Sequence, residues 1–489
     1  MQTETGKDRK QTEGPDPSLI LPPRTGGDKP KALDPAREVF LNCPLGMLIL
    51  KNALPAVASM LFMAFYQVVD GILVGRRLGP EALASVNILY PILAVFVGLA
   101  VMIGVGGNAR VAVLLGAGET RQARRTLGLI TALGTALGIG GTIVVILAFP
   151  QILSALGTSG ELGELAGEYL IALCPFFAPM ILAFILEQSL RNDGRPNMAT
   201  LVMAAMAILN IVLDYIFLFI LNMGIAGAAL ATGLSQSLVA LIFLAHFINK
   251  TIRRRPGLGF AVPGGGIPAL RAIALNGSSE MFNSLAAGLT TFLFNRIILS
   301  YVGVMGVAAF ALVQYMLMVG VMIFIGMSNG TQPIWSYNHG AGHAGRVQGT
   351  LNRLLAASLV VGIIFFIMLR WQAGAMAALF IPGHTEALAL TLRVARIISW
   401  SMLFMPVGIV VSMFFTSLEK AGNSMVVAVS RGLVFTVMGL TIFPLLWGEW
   451  GIWITPVFAE GATVLVAAFL VYRWKAMTNR QADLELVTD

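Results

Sequence analysis

Two aspartates, Asp70 and Asp214, lie inside long stretches of apolar residues. Asp70 belongs to LPAVASMLFMAFYQVVDGILVG, and Asp214 belongs to MATLVMAAMAILNIVLDYIFLFIL. An ionised carboxylate at the centre of a membrane-spanning helix costs at least about 2.5–3.5 kcal/mol, so it is retained where it has a partner or a function. The chemistry that these residues predict is reversible binding of a proton or another cation on an ion or substrate pathway.

The composition of the chain is that of an integral membrane protein. Of its 489 residues, 57% are hydrophobic and 11% are charged, whereas about 25% of the residues in a soluble globular protein are charged. The net charge of +8 arises from Lys and Arg in short loops, so we interpret it as topological charge and expect no nucleic-acid partner. The two cysteines cannot build a disulfide framework.

Apolar runs of about twenty residues, the length of a spanning helix, recur along the chain. They predict about twelve spans, at residues 50–74, 84–106, 127–149, 166–190, 198–221, 225–248, 272–300, 307–331, 351–369, 391–415, 424–446 and 452–473. The loops after even-numbered spans are basic. The opposite loops hold only Arg76, Arg77 and Arg370, with Arg296, Arg393 and Arg396 near that side inside helices. The positive-inside rule then places both termini in the cytoplasm.

The second half of the chain repeats the first. The Gly-Ala-Gly at 116–118 recurs at 340–342, and the Gly-Ile that opens the sixth span recurs at the start of the twelfth. We therefore predict an all-α membrane protein, with twelve transmembrane helices in two six-helix lobes related by a parallel, pseudo-two-fold repeat. The predicted parts are a disordered cytoplasmic tail at 1–45, a first lobe at 46–250, a cytoplasmic linker at 251–267, a second lobe at 268–474 and a cytoplasmic tail at 475–489.

Four polar residues of the first lobe share a similar predicted depth. Counted from the outer ends of their spans, Asp70, Asp214 and Thr232 lie roughly 9–12 Å deep at 1.5 Å per residue. Asn210 lies one turn deeper than Asp214 on the same helix face. Two carboxylates, an amide and a hydroxyl form a hard-oxygen site that suits H⁺ or Na⁺, and Na⁺ at the two aspartates is the only metal ion that we expect. The alternative role for the aspartates is helix packing or interfacial anchoring.

The second lobe does not copy this site, because Thr441 stands at the position that corresponds to Asp214. It has acids of its own. Glu280 lies near mid-depth of the seventh span, where it either meets a cationic substrate or a second ion, or is a buried structural acid. Glu460 in the twelfth span is a weaker candidate of the same kind.

Three segments resemble the bacterial branch of the multidrug and toxic compound extrusion (MATE) family: VVDGILVGRRLGPEALASVNILYPI, RNDGRPNMATLVMAAMAILNIVLDYIFLFILNMGIAGAALATGLSQ and QPIWSYNHGAGHAGRV. The resemblance extends from about residue 46 to 474. It implies a twelve-helix antiporter in the inner (plasma) membrane that exports small organic, often cationic, compounds in exchange for H⁺ or Na⁺. Such a transporter contributes to antibiotic resistance, and we expect it to be a monomer without a cofactor.

The resemblance also implies roles for individual residues. The family's first-lobe acids correspond to Asp70 and Asp214, with Asn210 and Thr232 beside them, and Glu280 resembles an acid that part of the family uses in its seventh helix. Tyr215 stands where many relatives have a proline, so a proline-driven bend of the fifth helix is not expected here.

Three other functions are weighed against efflux. A lipid-linked oligosaccharide flippase of the same superfamily is expected to have a basic central cavity, whereas the residues singled out here are mainly acids. A membrane-embedded enzyme needs a catalytic cluster within the spans, but the histidines (His246, His339, His343 and His384) lie near span ends or in loops, and no GxxxxGK[ST] motif is present. A receptor that does not transport is the third alternative.

Overall fold

The computed structural model describes residues 35–155, 160–380 and 385–488, and these residues form α-helices without any β-strand. The prediction of disorder for residues 1–34 and the position of His384 lie outside the described residues. The helices are α1 (Pro35–Asn42), α2 (Leu45–Leu78), α3 (Pro80–Ile88), α4 (Tyr90–Gly116), α5 (Thr120–Leu147), α6 (Phe149–Ala155), α7 (Glu161–Leu173), α8 (Phe177–Asn192), α9 (Pro196–Tyr215), α10 (Gly224–Ile252), α11 (Gly266–Tyr301), α12 (Val304–Gly340), α13 (Ala344–Phe380), α14 (Thr385–Ile398), α15 (Ser401–Ser417), α16 (Ala421–Val429), α17 (Phe435–Trp447) and α18 (Glu449–Thr488).

The helices account for the twelve predicted spans. Among the described residues, eleven helical segments are long and apolar enough to cross a membrane, and α14 with α15, bent by 51° at their junction, gives a twelfth. Three spans combine two helices: α7 with α8, α9 with a π-helical segment at Ile216–Ile220, and α16 with α17 through a π-helical segment at Ser430–Val434. The predicted all-α membrane fold is confirmed.

Glycines bring the two halves of the chain into close contact. A Cβ added to Gly277 on α11 would collide with the backbone of Met102 on α4, and one added to Gly340 on α12 would collide with Val113. We call the face where α2 begins and α4 ends the inner face, and the opposite one the outer face. Because Gly340 ends α12 and Val113 lies near the end of α4, the two halves meet tightly at the inner face.

Both terminal segments that we predicted to be tails contain helical residues. Residues Pro35–Asn42 form α1, although the sequence predicts a disordered tail for 1–45. The last helix, α18, continues to Thr488 through the predicted tail at 475–489. The reason for α1 is tertiary packing: Phe40 is 1% exposed, and its ring stacks on Tyr337 of α12 with centroids 4.6 Å apart.

Helix α1 is held by both halves of the chain. The Arg346 guanidinium at the start of α13 donates hydrogen bonds to the carbonyl oxygens of Phe40 and Cys43, at 3.1 and 2.9 Å. Arg37 donates from Nε to the Gly116 carbonyl at the end of α4, at 3.1 Å. The segment before α2 therefore bridges the two halves at the inner face.

The connection between α10 and α11 is also held in place. Arg124 of α5 donates to the Gly257 carbonyl, and the Leu258 amide donates to the Asp193 carboxylate at 3.1 Å. Asp193 also forms an ion pair with Lys250 at the end of α10. The segment at 251–267, which we predicted as a linker, is thus fastened to the first half.

Candidate functional site

Helices α2 and α9 bring Asp70 and Asp214 together. Gly194, with φ of 75°, makes the turn between α8 and α9, and Pro196 is the first residue of α9. Asp214 therefore lies near the carboxyl end of this helix. The Asp214 side chain is 0% exposed, Asp70 is partly buried, and the two carboxyl groups are close neighbours that interact electrostatically. The structure therefore pairs the two acids that the sequence singled out.

The carboxyl pair lacks donors. Among the described residues, no N–H or O–H group donates to either oxygen of Asp214 or to Oδ1 of Asp70. Two ionised carboxylates are both acceptors, so they cannot form a hydrogen bond with each other. Because like charges so close together disfavour double ionisation, the arrangement suits a pair that holds one proton or another small cation between its oxygens.

The other two predicted residues lie beside this pair. Asn210 of α9 is fully buried, one turn from Asp214, and its Nδ2 donates to Oγ1 of Thr232 on α10 at 3.4 Å. The Asn210 side-chain oxygen receives no donor from the described residues. It thus adds another free acceptor close to the carboxyl pair, which favours a ligand that brings positive charge.

Three residues of the site were not anticipated from the sequence. Tyr66, one turn before Asp70 on α2, lies next to the side chain of Gln236 on α10. Tyr169 of α7 is buried and lies close to both aspartates, as does Tyr66. The spacing of four residues between Tyr66 and Asp70 is the signal that could have identified the first tyrosine, whereas nothing local marks Tyr169.

A π-helical segment follows the site directly. Residues Ile216–Ile220 depart from α-helical hydrogen bonding immediately after Tyr215. Arg77 from the end of α2 donates to the Leu218 carbonyl within this segment at 3.2 Å and also contacts Asn222. Single π-helical turns within α-helices are frequent at functional sites. A π-turn therefore stands next to Asp214, although Tyr215 replaces the proline that many relatives have.

The second half holds a separate polar cluster. Glu280 on α11 is partly buried, and its carboxylate accepts from Asn283 Nδ2 at 3.4 Å and from Ser412 Oγ at 3.5 Å. Ser412 in turn contacts Ser424, 3.2 Å away. The hydrogen-bond donors of Glu280 are therefore neutral, although the nearby Arg431 guanidinium also acts on it electrostatically.

Glu460 differs from Glu280, because it has a cationic partner. Arg431, in the π-helical segment at Ser430–Val434, donates from Nε to Oε1 of Glu460 at 2.8 Å. Arg431 was not anticipated from the sequence. Since its guanidinium neutralises Glu460, Glu280 is the better placed of the two acids to meet a cationic ligand.

Within the described residues, no group of three or more His, Cys, Asp or Glu side chains is arranged to hold a metal ion. The oxygen ligands near Asp70 and Asp214 come from two acids, an amide and a hydroxyl.

Comparison with protein families gives one matching model, MatE, which matches residues 55–216 and again 281–441. The two matches fall in the two halves of the chain.

Relatives are similar over most of their length. The multidrug export protein MepA of Staphylococcus aureus (strain MRSA252) is 24% identical over 445 residues, covering 88% of this chain and 95% of the relative. The protein of the same name from Staphylococcus saprophyticus is 24% identical over 420 residues, covering 86% and 92%.

Solved structures share the fold. The crystal structure of MATE in complex with MaL6 has a TM-score of 0.86 at 23% identity, covering 91% of this chain and 99% of that one. The outward-facing conformation of a multidrug resistance MATE family transporter of the MOP superfamily has a TM-score of 0.85 at 23% identity, covering 93% and 100%. At these identities the likeness establishes the architecture: two related helical halves across a membrane.

Proposed function

Because the chain belongs to the MatE family, we propose that it is a secondary active transporter that exports small organic, mainly cationic, compounds in exchange for H⁺. Members of the family are membrane transporters, so the chain is not an enzyme. The names of the staphylococcal relatives, which describe multidrug export, support a broad range of organic substrates. We place the transporter in the plasma membrane as a monomer, with the inner face towards the cytoplasm.

The observation that carries this proposal is the pair formed by Asp70 and Asp214. The two carboxyl groups are close neighbours and have no donor at three of their four oxygens among the described residues. One proton between them converts two repelling acceptors into a hydrogen-bonded pair. This is why we favour H⁺ over Na⁺ as the coupling ion, with Asn210 and Thr232 as neighbouring ligands.

Coupling follows if the two charge states of the pair favour different arrangements of α2 against α9. The protonated pair draws the helices together, whereas the doubly ionised pair repels them and attracts a cationic substrate. Arg77 ties α2 to the π-helical segment after Asp214, so a movement of one helix reaches the other. Exchange results because proton and substrate bias the same equilibrium in opposite directions.

Glu280 is the proposed contact for the positive charge of the substrate in the second half. Its hydrogen-bond donors are neutral, and Arg431, which also acts on it electrostatically, forms its ion pair with Glu460. Export of lipid-linked oligosaccharides is less favoured, because acids in both halves repel a pyrophosphate. Acids at these positions fit an organic cation better.

The proposal is tested with proteoliposomes that contain the purified transporter and a fluorescent organic cation. We expect efflux when a pH gradient is imposed and none when a Na⁺ gradient replaces it. Asp70→Asn and Asp214→Asn remove the titrating groups and should abolish gradient-driven efflux. Glu164→Gln, an exposed acid at the start of α7, is the matched control and should leave efflux unchanged.

Full efflux by Asp70→Asn or Asp214→Asn excludes that residue from coupling. Efflux by the wild-type protein under a Na⁺ gradient alone would contradict coupling to H⁺ and identify Na⁺ as the coupling ion.

A further inference from the structure

A basic cavity lies at the outer face of the second half, away from the acids described above. Its volume is about 650 Å³. The cavity is formed where the second half of α13, helix α14 and the start of α18 meet. It is lined by Arg370, Ala389, Leu392, Arg393, Arg396, Ile397, Trp400, Trp450 and Ile454. We propose that this cavity binds the phosphate headgroup of an anionic phospholipid from the outer leaflet.

The arginines of the cavity are arranged by aromatic rings. The Arg370 guanidinium lies 5.9 Å from the ring centroids of both Phe366 and Trp400, and Arg393 lies 6.0 Å from that of Trp450. Arg370 also donates from Nη1 to the Arg396 carbonyl at 3.3 Å. Stacking on rings restricts a guanidinium while leaving N–H groups free, and the planar fork of N–H donors matches the oxygens of a phosphate.

The charge of the cavity is unbalanced. Arg393 forms an ion pair with Glu449 at 3.6 Å, and both side chains of this pair are exposed. Neither Arg370 nor Arg396 forms an ion pair with any side chain that the structure describes, which in this region leaves out residues 375–387. Among the side chains that the structure describes, three guanidinium groups thus face one carboxylate, which leaves positive charge for an anion to neutralise.

Membrane topology does not explain this cluster. Lys and Arg are enriched on the cytoplasmic side of membrane proteins and scarce on the other. Here three arginines converge on the face where the sequence has few of them. The two tryptophans have the character of residues at a membrane–water interface, which places the guanidinium groups at the level of lipid headgroups.

The lower lining of the cavity is apolar. Leu392, Ile397 and Ile454 share it with the arginines. A free phosphate gains nothing from such residues, whereas a phospholipid places its acyl chains against them. We therefore assign the cavity to a lipid with a negative headgroup rather than to a soluble anion. The assignment does not depend on the transport activity or on the coupling ion.

Native mass spectrometry of the full-length protein in detergent tests the proposal, with equal amounts of phosphatidylglycerol and phosphatidylcholine added. We expect the wild-type protein to retain phosphatidylglycerol at least about tenfold better than phosphatidylcholine, a difference of about 1.4 kcal/mol. The combined variant Arg370→Gln, Arg393→Gln and Arg396→Gln should lose this preference. Each single variant should lose part of it.

Arg296→Gln is the matched control, since Arg296 is an exposed arginine near the outer end of α11 and does not line the cavity. It should keep the wild-type preference, and a melting temperature equal to that of the wild type checks that the combined variant is folded. The proposal is wrong if the combined variant still selects phosphatidylglycerol, or if Arg296→Gln loses the preference to the same extent. Displacement of the lipid by excess inorganic phosphate would overturn the assignment to a lipid and leave a soluble anion as the ligand.

Discussion

Removing the ring of Phe40 should release α1 from the inner face. The ring is buried and stacked on Tyr337, so it connects the segment before α2 to the second half of the chain. Truncation of a buried phenylalanine to alanine typically costs about 3–5 kcal/mol. At about 1.4 kcal/mol per factor of ten, a loss of about 3 kcal/mol raises the population with α1 undocked more than about 100-fold.

A native thiol reports this change. Cys43 is free and partly buried directly after α1, and its carbonyl oxygen accepts a hydrogen bond from Arg346, whereas the other cysteine, Cys174, is buried elsewhere. Labelling of Cys43 by a maleimide, followed by mass spectrometry of the labelled peptide, measures the undocked population when docking is fast relative to the reaction. We expect Phe40→Ala to accelerate labelling at least about tenfold.

Val39→Ala is the matched control, because Val39 is the neighbouring apolar residue of α1 and is 46% exposed. It should label at the wild-type rate. Equal labelling rates in the wild type and in Phe40→Ala would show that this ring does not hold α1 in place. Faster labelling in both variants would instead indicate that any loss of side-chain volume loosens the helix.

Two further predictions concern the contact between the halves. Gly277→Ala should lower the melting temperature and reduce transport, because its Cβ collides with Met102 and overpacking costs about 1–3 kcal/mol. Gly288→Ala on the same helix meets only ordinary contacts and should behave as the wild type. A Gly277→Ala variant that is as stable and active as the wild type would contradict the close approach of the two helices. Burial raises the pKa of the Glu419 carboxyl above its ordinary value of 4.5, against the opposing effect of Arg110. The folded state therefore binds this proton more tightly than the unfolded state does. As a result, stability falls as the pH rises above 4.5. The melting temperature of Glu419→Gln should fall less over this pH range than that of the wild type, and parallel curves contradict the assignment.

The spans were predictable because a bilayer imposes a minimum apolar length that is visible in the sequence. Their ends were less predictable, since helices continue beyond the hydrocarbon: the first span was predicted at 50–74 and forms Leu45–Leu78. Helix α1 was missed because eight residues have little helical stability of their own. Its stability comes from Tyr337 and Arg346, which lie far away in the sequence.

The site was predictable where its residues are out of place in a membrane. Asp70 and Asp214 are acids in apolar runs, and the similar depth predicted for them indicated that they belong to one site. Tyr169 and Gln236 were missed because tyrosine and glutamine in a membrane helix are not unusual enough to be noticed. Arg431 was missed because its partner Glu460 lies on another helix, and a sequence does not show which helices face each other.

The central claim is that the pair formed by Asp70 and Asp214 holds a proton that the substrate displaces. The most direct test is the release of protons on substrate binding, followed with a pH indicator in a weakly buffered solution of the purified transporter. We expect the wild type to release up to about one proton per bound organic cation, and Asp214→Asn to release none. Undiminished release by Asp214→Asn, or substrate binding by the wild type without any release, would contradict it.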